Sequence, residues 1–146
     1  MNLSSRSRYG IRALIDLAVN ARESCIQLGD IAVRNDISVK YLEQIFMTLR
    51  KGGIIRSVKG PQGGYLLAKK PQDIFISDVI RLLDGEYLLE NEESENRENL
   101  TSKVIQEKMI EPMNSWMKNF LKNLTLQNLT EAYELELAGL QDMYYI

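Results

Sequence analysis

The stretch that decides the fold is NDISVKYLEQIFMTLRKGGIIRSVKGPQGGYLL, residues 35–67. Asn35-Asp36-Ile37-Ser38 reads as a tight turn, and Ser38 is a good N-cap for the next helix. The helix it opens runs to about Lys51 and carries Leu42, Ile45, Phe46 and Leu49 at i, i+3, i+4, i+7, so one face is apolar. The opposite face carries Lys40, Tyr41, Glu43, Gln44, Met47 and Lys51. Gly52-Gly53 stops the helix, and the period then changes from helical to alternating. Residues 54–59 and 65–68 read as short strands around the turn Gly60-Pro61-Gln62-Gly63-Gly64, which makes a β-hairpin.

Upstream, residues 7–22 place Tyr9, Ala13, Leu17 and Ala21 on one helical face, with Arg8 and Arg12 one turn apart elsewhere. Residues 27–35 form a second short helix with Leu28, Ile31 and Ala32 on one side. Helix, helix, tight turn, helix and glycine-turned hairpin make a winged helix-turn-helix, so the expected fold is mainly α with a small β-hairpin. This DNA-binding domain spans 1–85. Ser77 is expected to cap its last helix and Gly85 to sit just past the end of it.

Residues 86–101 are crowded with glutamates and read as a mobile acidic linker. Thr101 or Ser102 then opens a long amphipathic helix to about Asn123, with Ile105, Met109, Met113, Trp116, Phe120 and Leu124 as its stripe. Pro112 inside it is expected to kink it, because the ring removes a backbone hydrogen bond. Thr125 caps a final helix, so 102–138 are the dimerisation helices. Gly139 is expected to end that helix and leave 139–146 as a tail.

Composition narrows the chemistry. The 146 residues contain no histidine and one cysteine, Cys25. Histidine-based catalysis, histidine-ligated zinc and an intrachain disulfide are excluded, and neither a metal nor a cofactor is expected. A lone cysteine fits a reducing cytoplasm, and no apolar run is long enough to cross a membrane. The net charge of -2 conceals two halves. Residues 1–70 carry 12 Lys and Arg against 5 Asp and Glu, whereas 71–146 carry 6 against 15. A cationic half that coincides with the helix-turn-helix points to nucleic acid.

The residue types suit that reading. A helix after such a turn enters the major groove, and its first turns meet the base edges. Ser38, Lys40, Tyr41 and Gln44 are hydrogen-bonding groups at those positions, and Arg8 adds charge nearby. Glu43 is unexpected beside phosphates; it can accept from a cytosine amino group or repel wrong sites. In the wing, Lys59 precedes Gly60-Pro61, a turn able to press close to a phosphate or a groove floor. Taken alone, the polar helix face reads as a solvated surface; the turn, the wing and the basic half together turn the reading to DNA. A second class of function is a protein-interaction module that uses the winged fold without DNA; the basic half argues against it. An enzyme has no support.

Several linked motifs carry a resemblance. Arg8-Tyr9-Gly10, Ser38-x-x-Tyr41-Leu42-Glu43-Gln44-Ile45-Phe46, Leu49-Arg50-Lys51-x-Gly53 and Val58-Lys59-Gly60-Pro61-x-Gly63-Gly64-Tyr65-x-Leu67 closely resemble the Rrf-two family of bacterial winged-helix repressors. The match covers residues 1–85 almost without gaps, and Thr125-Leu126-x-x-Leu129 resembles the family's dimerisation region. The resemblance implies a homodimer on a palindromic operator in double-stranded DNA, with long helices crossing between protomers. Cluster-binding members carry three cysteines where this chain has its glutamate-rich loop. Iron–sulfur sensing is therefore not expected, because carboxylates are poor soft ligands. A hard cation such as calcium is the remaining metal reading of the glutamates, against a simple solvated run.

The chain looks most like the branch without loop cysteines, which includes a repressor of cysteine metabolism. Two features bear on switching. Cys25 is either an oxidisable thiol between the first two helices or a small buried hydrophobe. The end Tyr144-Tyr145-Ile146 is either a docking handle, by resemblance for cysteine synthase as corepressor, or a segment packed on the protein's own dimer. The Met- and aromatic-rich stripe is either a dimer core or a small-molecule pocket.

Overall fold

The computed structural model describes residues 2–22, 24–92 and 99–144. Three helices build the N-terminal core: α1 (Ser5–Asn20), α2 (Leu28–Asn35) and α3 (Val39–Lys51). The strands β1 (Ile55–Val58) and β2 (Gly64–Leu67) pair antiparallel, with Ile55 opposite Leu67 and Val58 opposite Gly64. A short 3-10 turn at Pro71–Asp73 leads into α4 (Ile76–Asp84). Then come α5 (Leu100–Ile105), a π-helical turn (Gln106–Ile110), α6 (Glu111–Asn123) and α7 (Leu126–Tyr144). The winged helix-turn-helix with long C-terminal helices is the architecture observed.

Local chemistry fixes the helix-turn-helix. Asp36 ends α2 in the left-handed region, at φ 53°, so the chain reverses within two residues. The N–H of Ile37 donates back to Ala32 O at 3.0 Å, and its side chain is buried. Ser38 then caps α3, its hydroxyl accepting from the N–H of Tyr41 at 3.2 Å. Leu42, Ile45, Phe46 and Leu49 are all fully buried, against Ala13, Leu14 and Leu17 of α1 and Val79 of α4. Each such side chain is worth roughly 1.5–3 kcal/mol relative to exposure, which makes this the principal core.

A second, smaller cluster joins the two halves of the chain. Ile76 and Ile80 of α4, Tyr87 and Met117 are buried together, with Leu3, Leu88, Leu121, Leu124 and Leu129 around them. The backbone reinforces the join: Ile76 N–H donates to Leu124 O at 3.0 Å and Leu126 N–H to Ile74 O at 2.8 Å. Leu124 therefore belongs to the chain's own core, not to the outward stripe in which its spacing placed it.

Other boundaries differ from expectation for identifiable reasons. Ser77 does not cap α4; Phe75 holds the cap position without a side-chain bond, and Ser77 is buried in the first turn. Asn99, not Thr101 or Ser102, opens α5, its Oδ1 accepting from the N–H groups of both. Pro112 falls at the start of α6, directly after the π-helical turn, and the helical run passes through it. Gly139 does not stop α7. Its neighbours are good helix formers, and one exposed glycine costs only about 1 kcal/mol, so the helix continues to Tyr144. The segment expected to be a mobile linker is anchored over 86–92: Tyr87 is buried, and Asn114 exchanges hydrogen bonds with the backbone of Leu89 at 2.8 and 3.0 Å. Residues 93–98, with the densest glutamates, lie outside the described residues.

The start of α1 and the end of α4 are tied by Asp84. Its carboxylate accepts from the Ser4 N–H at 3.1 Å and from the Ser4 hydroxyl, while Ser4 caps α1 by accepting from Ser7 N–H. Burial works against the ionised form, but the Ser4 hydrogen bonds and the charge of Arg6 outweigh it and hold the carboxyl below its ordinary value. A carboxylate whose pKa is lowered on folding stabilises the fold above its unfolded pKa of about 4, and that contribution is lost as pH falls through the folded value. The difference in melting temperature between wild type and Asp84→Asn should therefore be largest near neutral pH and shrink below about pH 4. A difference that does not change with pH would show that the ionisation of Asp84 adds nothing.

Candidate nucleic-acid interface

The site is built on α3 and the wing. Because the apolar stripe of α3 is sealed against α1 and α4, its remaining arc faces outward. Ser38, Lys40, Glu43 and Gln44 are exposed, as are Val39, Met47, Arg50 and Lys51 further round or along. Tyr41 is different. Its ring packs edge-on to Tyr9 with centroids 5.8 Å apart, and it is half-buried at the margin of the core. Part of its surface is thus a packing group as well as a candidate contact.

In the wing, Lys59, Gly60 and Pro61 are all exposed at the hairpin tip. The turn is closed by the N–H of Gly63 donating to Gly60 O at 2.9 Å, and Gly60 has φ 109°, a conformation L side chains rarely adopt. A Cβ on Gly63 would overlap the carbonyl oxygen of Val58, so the tip is tight because of glycine. Residues 56–58 of β1 are exposed, which places Arg56 on the wing surface as well.

The α1–α2 loop contributes a third, one-residue strand that periodicity did not reveal. Ile26 pairs with Tyr65 of β2, with N–H to O distances of 3.0 and 2.8 Å in the two directions. A Cβ on Gly64 would strike the carbonyl oxygen of Ile26, so Gly64 is what lets the loop lie on the wing. Tyr65 also packs edge-on against Phe46 of α3, with centroids 4.9 Å apart. The wing is therefore fixed to the helix-turn-helix at its base. Cys25, beside this bridge, is half-buried, and its thiol donates to Gln62 O at 3.0 Å.

Several cations of the basic half hold the fold together. Arg34 binds Asp16 through two hydrogen bonds at 2.7 and 2.9 Å, and this pairing keeps its pKa above the ordinary value. Arg22 pairs with Glu134 on α7, and Arg6 donates to Thr48 of α3 at 2.6 Å. Arg12 donates to Asn35 O and lies over the ring of Tyr9. Arg8 is exposed and donates to the carbonyl of Leu3 at 3.0 Å. Among the described residues, Lys40, Arg50, Lys51, Arg56 and Lys59 form no ion pair. Arg6 and Thr48 were not singled out by the sequence, since nothing in local spacing relates positions 42 residues apart.

On the long helix the expected stripe faces outward. Trp116 is 66% exposed, Met109 56% and Phe120 52%, with Met113 and Ile105 also exposed, and the rings of Trp116 and Phe120 stack 5.3 Å apart. The apolar cavity beside them, lined by Leu3, Ile80, Tyr87, Trp116, Met117 and Phe120, measures about 180 Å3. That is below the roughly 300–1,000 Å3 of ordinary ligand pockets. Tyr144 is exposed at the end of α7. Tyr145 and Ile146, the rest of the candidate docking end, lie outside the described residues.

A family model described as Rrf2, iron-dependent transcriptional regulator, matches residues 3–132. This chain belongs to the Rrf2 family. It is 34% identical over 145 residues to the HTH-type transcriptional regulator IscR of Photorhabdus laumondii, covering 97% of this chain and 87% of that protein. Among solved structures it is similar to CymR, described as the global cysteine regulator of B. subtilis, with TM-score 0.75 and 30% identity over 90% of this chain and 98% of that one. The oxidised form of Staphylococcus aureus CymR matches with TM-score 0.72 and 37% identity over 90% and 97% of the two chains. The protein is thus a DNA-binding transcriptional regulator of the Rrf2 type, and its relatives are regulators, not enzymes.

The family description names iron, and the residues present do not fit it. This chain has one cysteine and no histidine, and Cys25 lies on the wing side of the molecule, not in the loop before α5. Among the described residues no group of three or more His, Cys, Asp or Glu is placed to hold a metal ion. A thiolate cluster site has no ligand set here. No helix of the described residues is long and apolar enough to cross a membrane.

Proposed function

We propose that this Rrf2 protein is a homodimeric repressor that reads a palindromic operator in the cytoplasm and governs genes of cysteine and sulfur metabolism. The observation that carries the DNA reading is the outward arc of α3 held beside a wing whose tip is exposed and cationic. Ser38, Lys40, Tyr41, Glu43 and Gln44 are the groups proposed to meet the major groove. Lys59, Gly60 and Pro61 form the wing contact, and Arg8 a backbone contact. The sulfur branch rests on likeness to the two CymR structures and on the lack of cluster cysteines in residues 86–101.

Replacing Lys59 by Ala should weaken binding to all sequences alike and lower the salt slope, by about 0.9 in log K per log salt for each phosphate no longer neutralised. Replacing Gln44 by Ala should instead relax preference at one base position, at roughly 1–3 kcal/mol. Selection of bound DNA from a random pool followed by gel-shift titration measures both. Sites found away from sulfur genes would end the branch assignment, and unchanged binding by both variants would end the contact assignment.

The exposed Met109, Met113, Trp116 and Phe120 support the dimer, because large contiguous apolar surface mostly marks an interface. Sedimentation should return twice the 16.8 kDa chain mass, and Trp116→Glu combined with Phe120→Glu should return the chain mass with helix content kept. A monomeric wild type would contradict the proposal. Cysteine synthase is the corepressor this reading carries forward, engaged by the end Tyr144-Tyr145-Ile146. Its capture by the full chain should be lost when Ile146 is removed, and equal recovery would sink the docking role.

A further inference from the structure

The described residues of the acidic half include a basic cleft. Residues 71–146 hold six Lys and Arg, and three of them, Arg81, Lys118 and Lys122, line a single cavity of about 600 Å3 between α4 and α6. Asp78 is the one carboxylate in the lining, and it already pairs with Arg81 at 4.0 Å. Lys118 and Lys122 form no ion pair among the described residues, which leaves the cleft two positive charges in excess. Elsewhere in this half Lys103 is paired with Glu107 at 3.8 Å, the ordinary arrangement on an acidic surface.

The walls suit a small molecule. Tyr87 and Phe75 supply aromatic surface, and the Tyr87 ring is fixed by Arg81, whose guanidinium lies 5.1 Å from its centroid and donates to its hydroxyl at 3.3 Å. The N-terminus of α4 opens into the same space. Its cap residue Phe75 offers no side-chain acceptor; Asp78 in the first turn and Leu124 O on the Ile76 N–H meet that end of the helix, so the excess charge of the cleft comes from Lys118 and Lys122. The volume falls within the range of metabolite pockets. At 100° per residue, Lys118 and Lys122 lie roughly opposite Trp116 and Phe120 on α6, so a second copy on the apolar stripe leaves the cleft open.

We propose that this cleft binds a small organic dianion, a dicarboxylate or a phosphomonoester, with Lys118 and Lys122 on its charged groups and Tyr87 and Phe75 against its body. The position gives the ligand a route to DNA binding, and this step rests on the regulator reading. α4 packs on α1 and α3, with Leu83 against Gly10 and Leu82 against Gly52, where α3 ends. A ligand that draws α6 towards α4 acts on the helix that supports the reading helix.

Calorimetric titration of the full-length protein with succinate and, separately, with glycerol 3-phosphate tests the site without DNA. Saturable binding of either is expected, weakened tenfold or more in Lys118→Gln/Lys122→Gln. Lys103→Gln/Lys108→Gln, which removes the same charge elsewhere, should bind as wild type. The arm that saturates identifies the anion class. No saturable binding in either arm, or equal loss in both double variants, overturns the site. A ligand that binds but leaves operator affinity unchanged overturns only the coupling to DNA.

Discussion

The seating of one helical stripe governs this molecule. Leu42, Ile45, Phe46 and Leu49 are all sealed, and a helix gripped along that stripe cannot rotate about its axis without exposing several of them together. At roughly 1.5–3 kcal/mol per side chain, exposing all four costs about as much as the whole net stability of a typical domain. The outward arc is therefore set by the inward one. The face that α3 leaves exposed is determined by the face it hides, and the contacts flanking α3 serve to keep that seat: Tyr41 on Tyr9, Arg6 on Thr48, and Phe46 on Tyr65.

The same grip explains which features are legible in the sequence. The stripe, the Ser38 cap, the glycine stops and the hairpin are encoded within a few residues of each other, so periodicity and turn chemistry locate them. The departures cluster where a distant partner decides. Ile26 becomes a strand because Gly64 lets it approach β2. Leu124 turns inward because its carbonyl meets Ile76 and its side chain meets the second cluster. Asn99 and Ser102 exchange expected roles because Ser102 is buried and the carboxamide of Asn99 is placed to accept. Gly139 is no stop because one weak propensity does not end a helix, whereas a chain reversal such as Asp36 supplies does.

The candidate site divides in the same manner. That Lys40, Glu43, Gln44 and Lys59 are exposed can be read from pattern alone, since each lies off an apolar stripe or at a turn. That Tyr41 shares its ring with Tyr9 cannot, because the two are 32 positions apart. The charge of the first half is also less uniform than a count implies. Arg34, Arg22, Arg6 and Arg12 are engaged within the protein, with Asp16, Glu134, Thr48 and Asn35. A net count treats them as equivalent to Lys59, but a guanidinium already hydrogen-bonded within the protein offers less to a phosphate.

That distinction sharpens the meaning of the charge asymmetry. Among the described residues of the first half, the cations with neither an ion pair nor a side-chain hydrogen bond are Lys40, Arg50, Lys51, Arg56 and Lys59, on α3 and along the hairpin, and Lys69 and Lys70 just after it. Those engaged lie on α1, α2 and the loop between them, and Arg22 reaches across to α7. The basic half thus divides into free surface cations and a set of braces. Among the described residues, α7 exposes the carboxylates of Glu131 and Glu136 without an ion pair, and these repel phosphate and disfavour approach of a duplex from that side. With the proposed contacts, attraction at the wing and α3 and repulsion at the far helices would act together to orient the duplex before any base is read.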